Sequence, residues 1–328
     1  MINKKLRPNK YRDIAYRGIS VLNAVLLVLL LLALPTACSD WNDPTPVDVN
    51  PQHIKEQHPE LWARYMESLR VYKQERPHYI TYASFGNAAE KLVNEGNYLR
   101  SLPDSLDIVT IANSENITVY DREDISTLQE KSTRVLYLVD YAAKMPELTD
   151  ASALGTWLDK AVATATELNL DGFAFNGLPA YSGTDAEQAA RKEAAKLIVS
   201  KLKSAGKMLV FEGDLAFVDA GDLDKLDYAV LNTADITTAA NLKIQVGALL
   251  DAYPALPKEK LLLAAKIGNT LVNEENEKVD AVPDMTNRVV SLGPLGGLAI
   301  YALGDDYYAP DMNYSVCRKA IQLMNPSM

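Results

Sequence analysis

Residues 170–178 read LDGFAFNGL, and the reading of this stretch decides the fold. Phe173 and Phe175 alternate with Gly172, Ala174 and Asn176, the period-two pattern of a strand whose two faces meet different surroundings. Before it, across Ala153–Leu168, the residues Leu154, Trp157, Leu158, Ala161, Val162 and Ala165 form the inner stripe of a helix. After it, Thr184–Ala205 reads as a second helix, opened by a Thr184/Glu187 capping box and stopped by Gly206. A strand held between two helices places Asn176 and Leu178 at or just past its C-terminal end.

The same rhythm extends in both directions. Short apolar runs at Tyr79–Phe85, Leu106–Ala112, Arg134–Val139, Gly172–Phe175, Met208–Phe211, Tyr228–Leu231, Leu261–Ile267 and Leu298–Tyr301 read as eight strands. A further helix is expected over Pro59–Lys73, where Leu61, Tyr65, Leu69 and Tyr72 recur at helical spacing. Helices between successive strands require parallel pairing, and eight such units predict an α/β fold with a single (β/α)8 TIM barrel over residues 52–328. The competing doubly wound sheet lacks support, because no glycine-rich phosphate loop follows an early strand.

The N-terminus has a different character. Lys4, Lys5, Arg7, Lys10, Arg12 and Arg17 precede an apolar run from Val21 to Leu34, and Pro35-Thr36-Ala37 lead into Cys38. A basic start, an apolar centre and small residues before a cysteine resemble a bacterial lipoprotein signal, with residues 1–37 removed and Cys38 lipidated. The apolar run has 14 residues, short for a membrane span of about 20. Residues 38–51 are rich in Pro, Asp and Asn and read as an extended tether. The start CSDWNDP, residues 38–44, resembles lipoproteins encoded with outer-membrane glycan-uptake systems. That resemblance implies the cell surface, with outer-membrane lipid and uptake-system proteins as partners.

Charge and cysteine usage narrow the function classes. Removing residues 1–37 takes six of the 33 Lys and Arg and one of the 43 Asp and Glu, which leaves the remainder acidic by about 15 charges. Such a chain without a basic stripe is not expected to bind nucleic acid. With Cys38 lipidated, Cys317 has no cysteine to pair with, so neither a disulfide framework nor a cysteine metal site is expected. His53, His58 and His78 lie near the start of the barrel domain without a second group of ligands and read as surface or packing residues. No metal or other cofactor is expected.

In a barrel the working residues stand at the C-terminal strand ends. Those ends carry Asn87, Asn113, Asp140 with Tyr141, Asn176, Glu212 with Asp214, Asn232, Lys266 with Asn269, and Tyr301. The fourth of them resembles the fourth strand of glycoside hydrolase family 18, the family of chitinases and endo-β-N-acetylglucosaminidases, whose pattern is DGxDxDxE. Aligned on Asp171-Gly172, this chain has Ala174 at the second Asp, Asn176 at the third and Leu178 at the Glu. SLPDSLDIVTI, residues 101–111, and GPLGGLAIYALGDDY, residues 293–307, resemble the family's second and eighth strands.

The resemblance implies substrates that contain N-acetylglucosamine. It also implies a Glu that protonates the leaving oxygen and an Asp that steadies the substrate's own acetamido group. Leucine cannot donate a proton, and asparagine cannot supply the charge. Only Asp171 of the motif's acids survives, and its early place on the strand reads as structural. The expectation is therefore a catalytically inactive relative that binds N-glycan or chitobiose-type glycans through Asn176, Tyr301, Asn232, Asn87, Glu212, Asp214 and Lys266. Two other readings stay open: an active endo-glycosidase with Glu212 or Asp214 as its acid, and an assembly subunit whose barrel mouth is closed.

Overall fold

A computed structural model describes residues 54–87, 94–308 and 310–326. The predicted signal and tether, with Cys38 and His53, lie outside the described residues. A single helical turn, α1 (Ile54–Gln57), comes before the compact unit Glu60–Met328. The chain then alternates α2 (Pro59–Gln74), β1 (Ile80–Phe85), β2 (Ile108–Ile111), α3 (Val119–Glu130), β3 (Arg134–Asp140), α4 (Tyr141–Lys144), α5 (Ala151–Glu167), β4 (Gly172–Asn176), α6 (Asp185–Ser204), β5 (Met208–Gly213), β6 (Tyr228–Leu231), α7 (Ala239–Ala252), β7 (Leu261–Lys266), β8 (Thr270–Val272), β9 (Lys278–Asp280), α8 (Ala281–Ser291), β10 (Gly297–Tyr301) and α9 (Ser315–Met324). Strands β1 to β7 and β10 close into an eight-stranded parallel barrel in the order β1-β10-β7-β6-β5-β4-β3-β2. All eight strands lie where the apolar runs predict them. The antiparallel hairpin β8–β9 is an addition to that expectation: its strands are three residues long, too short to stand out as periodic runs.

Strand β4 shows why the sequence alternates. Phe173 and Phe175 are fully buried in the layer between barrel and helices, with Leu158 and Ile198 of α5 and α6. Ala174 faces the barrel interior with Tyr82, Leu136, Val210 and Val230. Large residues outside and small ones inside leave room at the axis for Tyr82, which is wholly buried. The Thr184/Glu187 capping box forms as predicted at the start of α6.

The foot of the barrel explains Asp171. Its Oδ2 accepts from the backbone N–H of Val135 at 2.8 Å and from Gln129 Nε2 at 3.0 Å, while its own N–H donates to the Val135 carbonyl at 2.9 Å. The same clasp recurs twice: Asp107 accepts from Thr81 N at 2.8 Å, and Asp227 from Leu209 N at 2.8 Å. Each Asp follows a fully buried leucine, Leu106, Leu170 or Leu226, and each opens an even-numbered strand by gripping the one before it. Asp171 is thus one of three equivalent register clamps at the end of the barrel opposite the strand tips. His78 joins the first of them, its Nε2 lying 3.0 Å from Asp107 Oδ1, a packing role. Cys317 is buried and free, and burial pushes its thiol up to about 12.

Candidate binding site at the barrel mouth

At the opposite end of the barrel, pairing aligns Asp140 of β3 with Asn176 of β4, and Asn176 with Glu212 of β5. Three polar residues therefore stand in one row across adjacent strand tips. Asn176 is fixed within it. Its Oδ1 accepts from Ala142 N at 3.0 Å, and its Nδ2 donates to Asp140 Oδ1 at 2.9 Å. Asp140 in turn caps α4, accepting from Ala143 N at 3.1 Å. An amide offers two N–H donors and two lone pairs, so Asn176 keeps one N–H and one lone pair for another group. Leu178 follows the strand end, 37% exposed, whereas Ala174 is sealed in the interior.

Glu212 is at the centre of a second set of contacts. Tyr301 Oη donates to its Oε2 at 2.7 Å, and Tyr82 Oη donates to its Oε1. A phenol has one proton to give, so the contact between Tyr82 and Thr110 is made by the Thr110 hydroxyl donating to Tyr82. Burial is the main reason that the Glu212 carboxyl rises above the ordinary range. The two phenols oppose that rise and nearby Asp140 adds to it. Burial also drives both phenols well above theirs.

This arrangement has a sign that can be checked. A carboxyl raised in the folded state leaves the fold most favoured where both states are protonated. That advantage is lost as pH climbs from the unfolded value of about 4.3 through the raised native value. The stability of the wild type relative to Glu212→Gln should therefore fall across this window, as read by melting curves between pH 4 and 8. A difference that stays constant or grows with pH would contradict the assignment.

The remaining predicted residues separate into groups. Asn87 is engaged in contacts between loops. It is buried, its Oδ1 accepts from Asn113 N at 2.8 Å, and its Nδ2 donates to Asp121 Oδ2 at 3.1 Å, so it ties the loop after β1 to the loop after β2. Lys266 is exposed at the tip of β7, in register with Tyr301. Asp214 and Asn232 line a cavity of about 450 Å³ beside the mouth. Gly213 separates Glu212 from Asp214 with a φ of +135°, a conformation that side chains disfavour. Asp214 accepts from Ala216 N at 3.0 Å and from Tyr181 Oη at 2.5 Å.

On the other flank, a cavity of about 260 Å³ is lined by Asn113, Asp140, Lys144 and Trp157 among others. There Trp157 Nε1 donates to Glu115 Oε1 at 2.5 Å, the main cause of a lowered Glu115 carboxyl. Two cavities thus flank the row Asp140, Asn176, Glu212. No cluster of His, Cys, Asp and Glu suited to a metal ion occurs among the described residues.

Tyr82, Thr110 and Trp157 are absent from the predicted set. Tyr82 and Thr110 sit within their strands, below the tips, and only the inward parity of ITYASF and IVTI could have shown that they point to the axis. Helical spacing places Trp157 on a helix's inner stripe, and it packs there while lining the cavity.

A closed parallel barrel with its polar residues gathered at the strand tips is a (β/α)8 barrel, a fold that hosts many chemistries. The family model described as glycoside hydrolase family 18, BT1044-like, matches residues 42–152, a segment that runs through β3. Among solved structures, a selenomethionine form of a Glu-to-Gln variant of BT1044 is 18% identical, with a TM-score of 0.64, over 83% of this chain and 95% of that one. A double mutant of the endo-β-N-acetylglucosaminidase from Cordyceps militaris, in complex with fucosyl-N-acetylglucosamine-Asn, is 18% identical with a TM-score of 0.59 over 80% and 95%. A Glu-to-Leu mutant of the Ostrinia furnacalis Group II chitinase catalytic domain 2, in complex with a chitooligosaccharide, is 11% identical with a TM-score of 0.58 over 75% and 96%. At these identities the likeness concerns the fold. No curated protein matches the sequence.

Proposed function

We propose that this protein holds an N-acetylglucosamine-containing glycan over the barrel mouth without cleaving it, as a lipid-anchored surface protein of a glycan-uptake system. One observation carries the reading: the inward and tip positions of β4 hold Ala174, Asn176 and Leu178, with no acid among them. The strand is intact and its tip is ordered by hydrogen bonds, so what is missing is the proton donor and the charge, while the barrel that would seat a sugar is retained. Asn176 offers a fixed amide to a hydroxyl or acetamido group, and Tyr301 stands on the opposite strand of the barrel with its phenol reaching in to Glu212. The complexes of the Cordyceps and Ostrinia proteins with N-acetylglucosamine-containing sugars support this choice of ligand.

Calorimetry with an N-glycan and chitooligosaccharide panel tests it. Asn176→Ala should weaken binding about tenfold, the scale of one good hydrogen bond to a polar ligand, with the melting temperature measured alongside. Unchanged affinity in a folded variant would remove Asn176 from the site. Anchoring rests on Cys38, whose lipidation is read by labelling with a fatty-acid analogue. A Cys38→Ala chain that still partitions with membranes would contradict it.

A second reading has one observation in its favour. Glu212 lies one strand from Asn176 with a raised carboxyl, a property that general acids use. Under that reading glycan is released as product and Glu212→Gln abolishes the release. Both outcomes are visible in the same samples.

A further inference from the structure

We propose that the groove between α5 and α6, on the outer face of the barrel, is a binding site for an aliphatic carboxylate, with the chain in the groove and the acid group on Arg191. The groove holds about 660 Å³, within the range of small-ligand sites, about 300–1,000 Å³. Its walls are helix and loop residues outside the barrel strands, so the inference does not depend on the glycan-binding reading.

Its shape follows from the sequence of α6. Ala190 and Ala194 stand one turn apart on one face, and where longer side chains would meet α5 they leave a channel. Met145, Leu148, Leu154 and Leu197 complete an aliphatic wall. From Glu187 to Leu197 the lining runs along α6 for about 15 Å, at about 1.5 Å per residue, which suits an extended chain better than a compact ring.

One residue gives the groove its chemistry. Arg191 is only 8% exposed, and arginine is seldom buried without an acid to pair with. Its Nη1 donates to the Pro179 and Ser182 carbonyls at 3.1 and 2.6 Å and to Ser182 Oγ at 2.8 Å, all uncharged acceptors, while its Nε is buried with no partner among the described residues. A carboxylate supplies the missing counter-charge. The acids of the lining are already engaged. Asp150 caps α5, accepting from Ala153 N at 2.8 Å. Glu187 Oε2 accepts from Thr184 N at 2.7 Å and from Thr184 Oγ1 at 2.9 Å, and Glu193 lies 3.6 Å from Lys196. The Thr184 N–H is the main cause of a lowered Glu187 carboxyl, to which the Arg191 charge adds. Arg191 lies toward the Glu187 end of the groove, which leaves the Leu197 end for the chain.

The test titrates the intact protein with octanoate, decanoate and decanol, below the concentrations at which they self-associate. Decanoate should saturate at one per chain and bind about fifteenfold more tightly than octanoate, since each buried CH2 is worth about fourfold. It should exceed decanol by about tenfold, the scale of a bond to a charged group. Ala190→Leu, at an exposed helix position that leucine suits, fills the groove and should weaken decanoate about tenfold or more. Arg191→Met should bring decanoate down to the level of decanol. Decanoate that does not saturate, that binds Ala190→Leu as it binds the wild type, or that binds the wild type no better than decanol overturns the site, and so does an Arg191→Met protein that keeps the preference for decanoate. The comparison of decanoate with decanol uses the unaltered chain, so it stands even where loss of the Ser182 contacts unfolds Arg191→Met.

Discussion

Replacing Gly297 with alanine should cost more than about 4 kcal/mol, the range reserved for changes that disrupt the core or backbone outright. At the start of β10, a Cβ on this residue would lie 1.9 Å from the Ile80 carbonyl oxygen and 2.7 Å from the Ile80 nitrogen. Those are backbone atoms of β1, and Ile80 is the register partner of Gly297 where the last strand meets the first. The Ile80 N–H also donates to the Gly296 carbonyl at 2.8 Å. No side chain can move aside to make space, so the methyl group must push open the seam that closes the barrel. Gly155 supplies the control. It lies inside α5 with no atom within 4 Å of its would-be Cβ, and Gly155→Ala should stabilise by about 0.5–1 kcal/mol. Chemical denaturation of both variants checks the pair, and a Gly297→Ala protein that unfolds like the wild type would show that the seam is looser than its geometry.

Restoring acids to the tip of β4 should create hydrolysis. In Asn176→Asp/Leu178→Glu, the carboxyl at 178 stands where the family 18 pattern has its proton donor, and the one at 176 where it has the residue that steadies the acetamido group. Position 178 is 37% exposed, so a longer polar side chain fits there without entering the core. At 176 the new carboxyl meets Asp140, which now accepts from the asparagine amide. The two acids then share a proton, which raises the pKa of one of them. A positioned general acid contributes about 10²- to 10⁴-fold in rate. Sugar released from an N-glycan or chitooligosaccharide should therefore rise at least about a hundredfold over the wild type. A folded double variant that binds the glycan and releases nothing would mean that these two positions are not what separates this barrel from a hydrolase.

Most of the architecture is legible in the sequence because the barrel repeats one physical device. Each buried strand must be apolar on both faces, and each crossover needs a helix, so eight apolar runs separated by helical stripes leave little choice of fold. The Leu-Asp pairs at 106–107, 170–171 and 226–227 are a further regularity of the sequence, and they show that Asp171 is shared with two strands that have no catalytic pattern. Its survival follows from its clamp on Val135.

The mouth is less legible. Strand ends identify which backbone positions face the top, but not which side chains are already engaged. Asn87 and Glu212 look alike in sequence, yet one is tied into a loop network and the other joins two tyrosines across the mouth. Tyr82 reaches Glu212 from mid-strand because a phenol is long, and strand position alone does not convey that reach. The hairpin β8–β9 and the cavity walls of α7 depend on loop paths that periodicity does not encode.

The central claim, binding without cleavage, is tested most directly by mixing the intact protein with N-glycans and chitooligosaccharides and recording heat of binding and released sugar in the same samples. The account predicts a saturating heat with at least one N-acetylglucosamine-containing glycan and no released sugar above the protein-free control. Release that scales with protein concentration and is lost in Glu212→Gln would contradict it and make this barrel a hydrolase with a displaced acid.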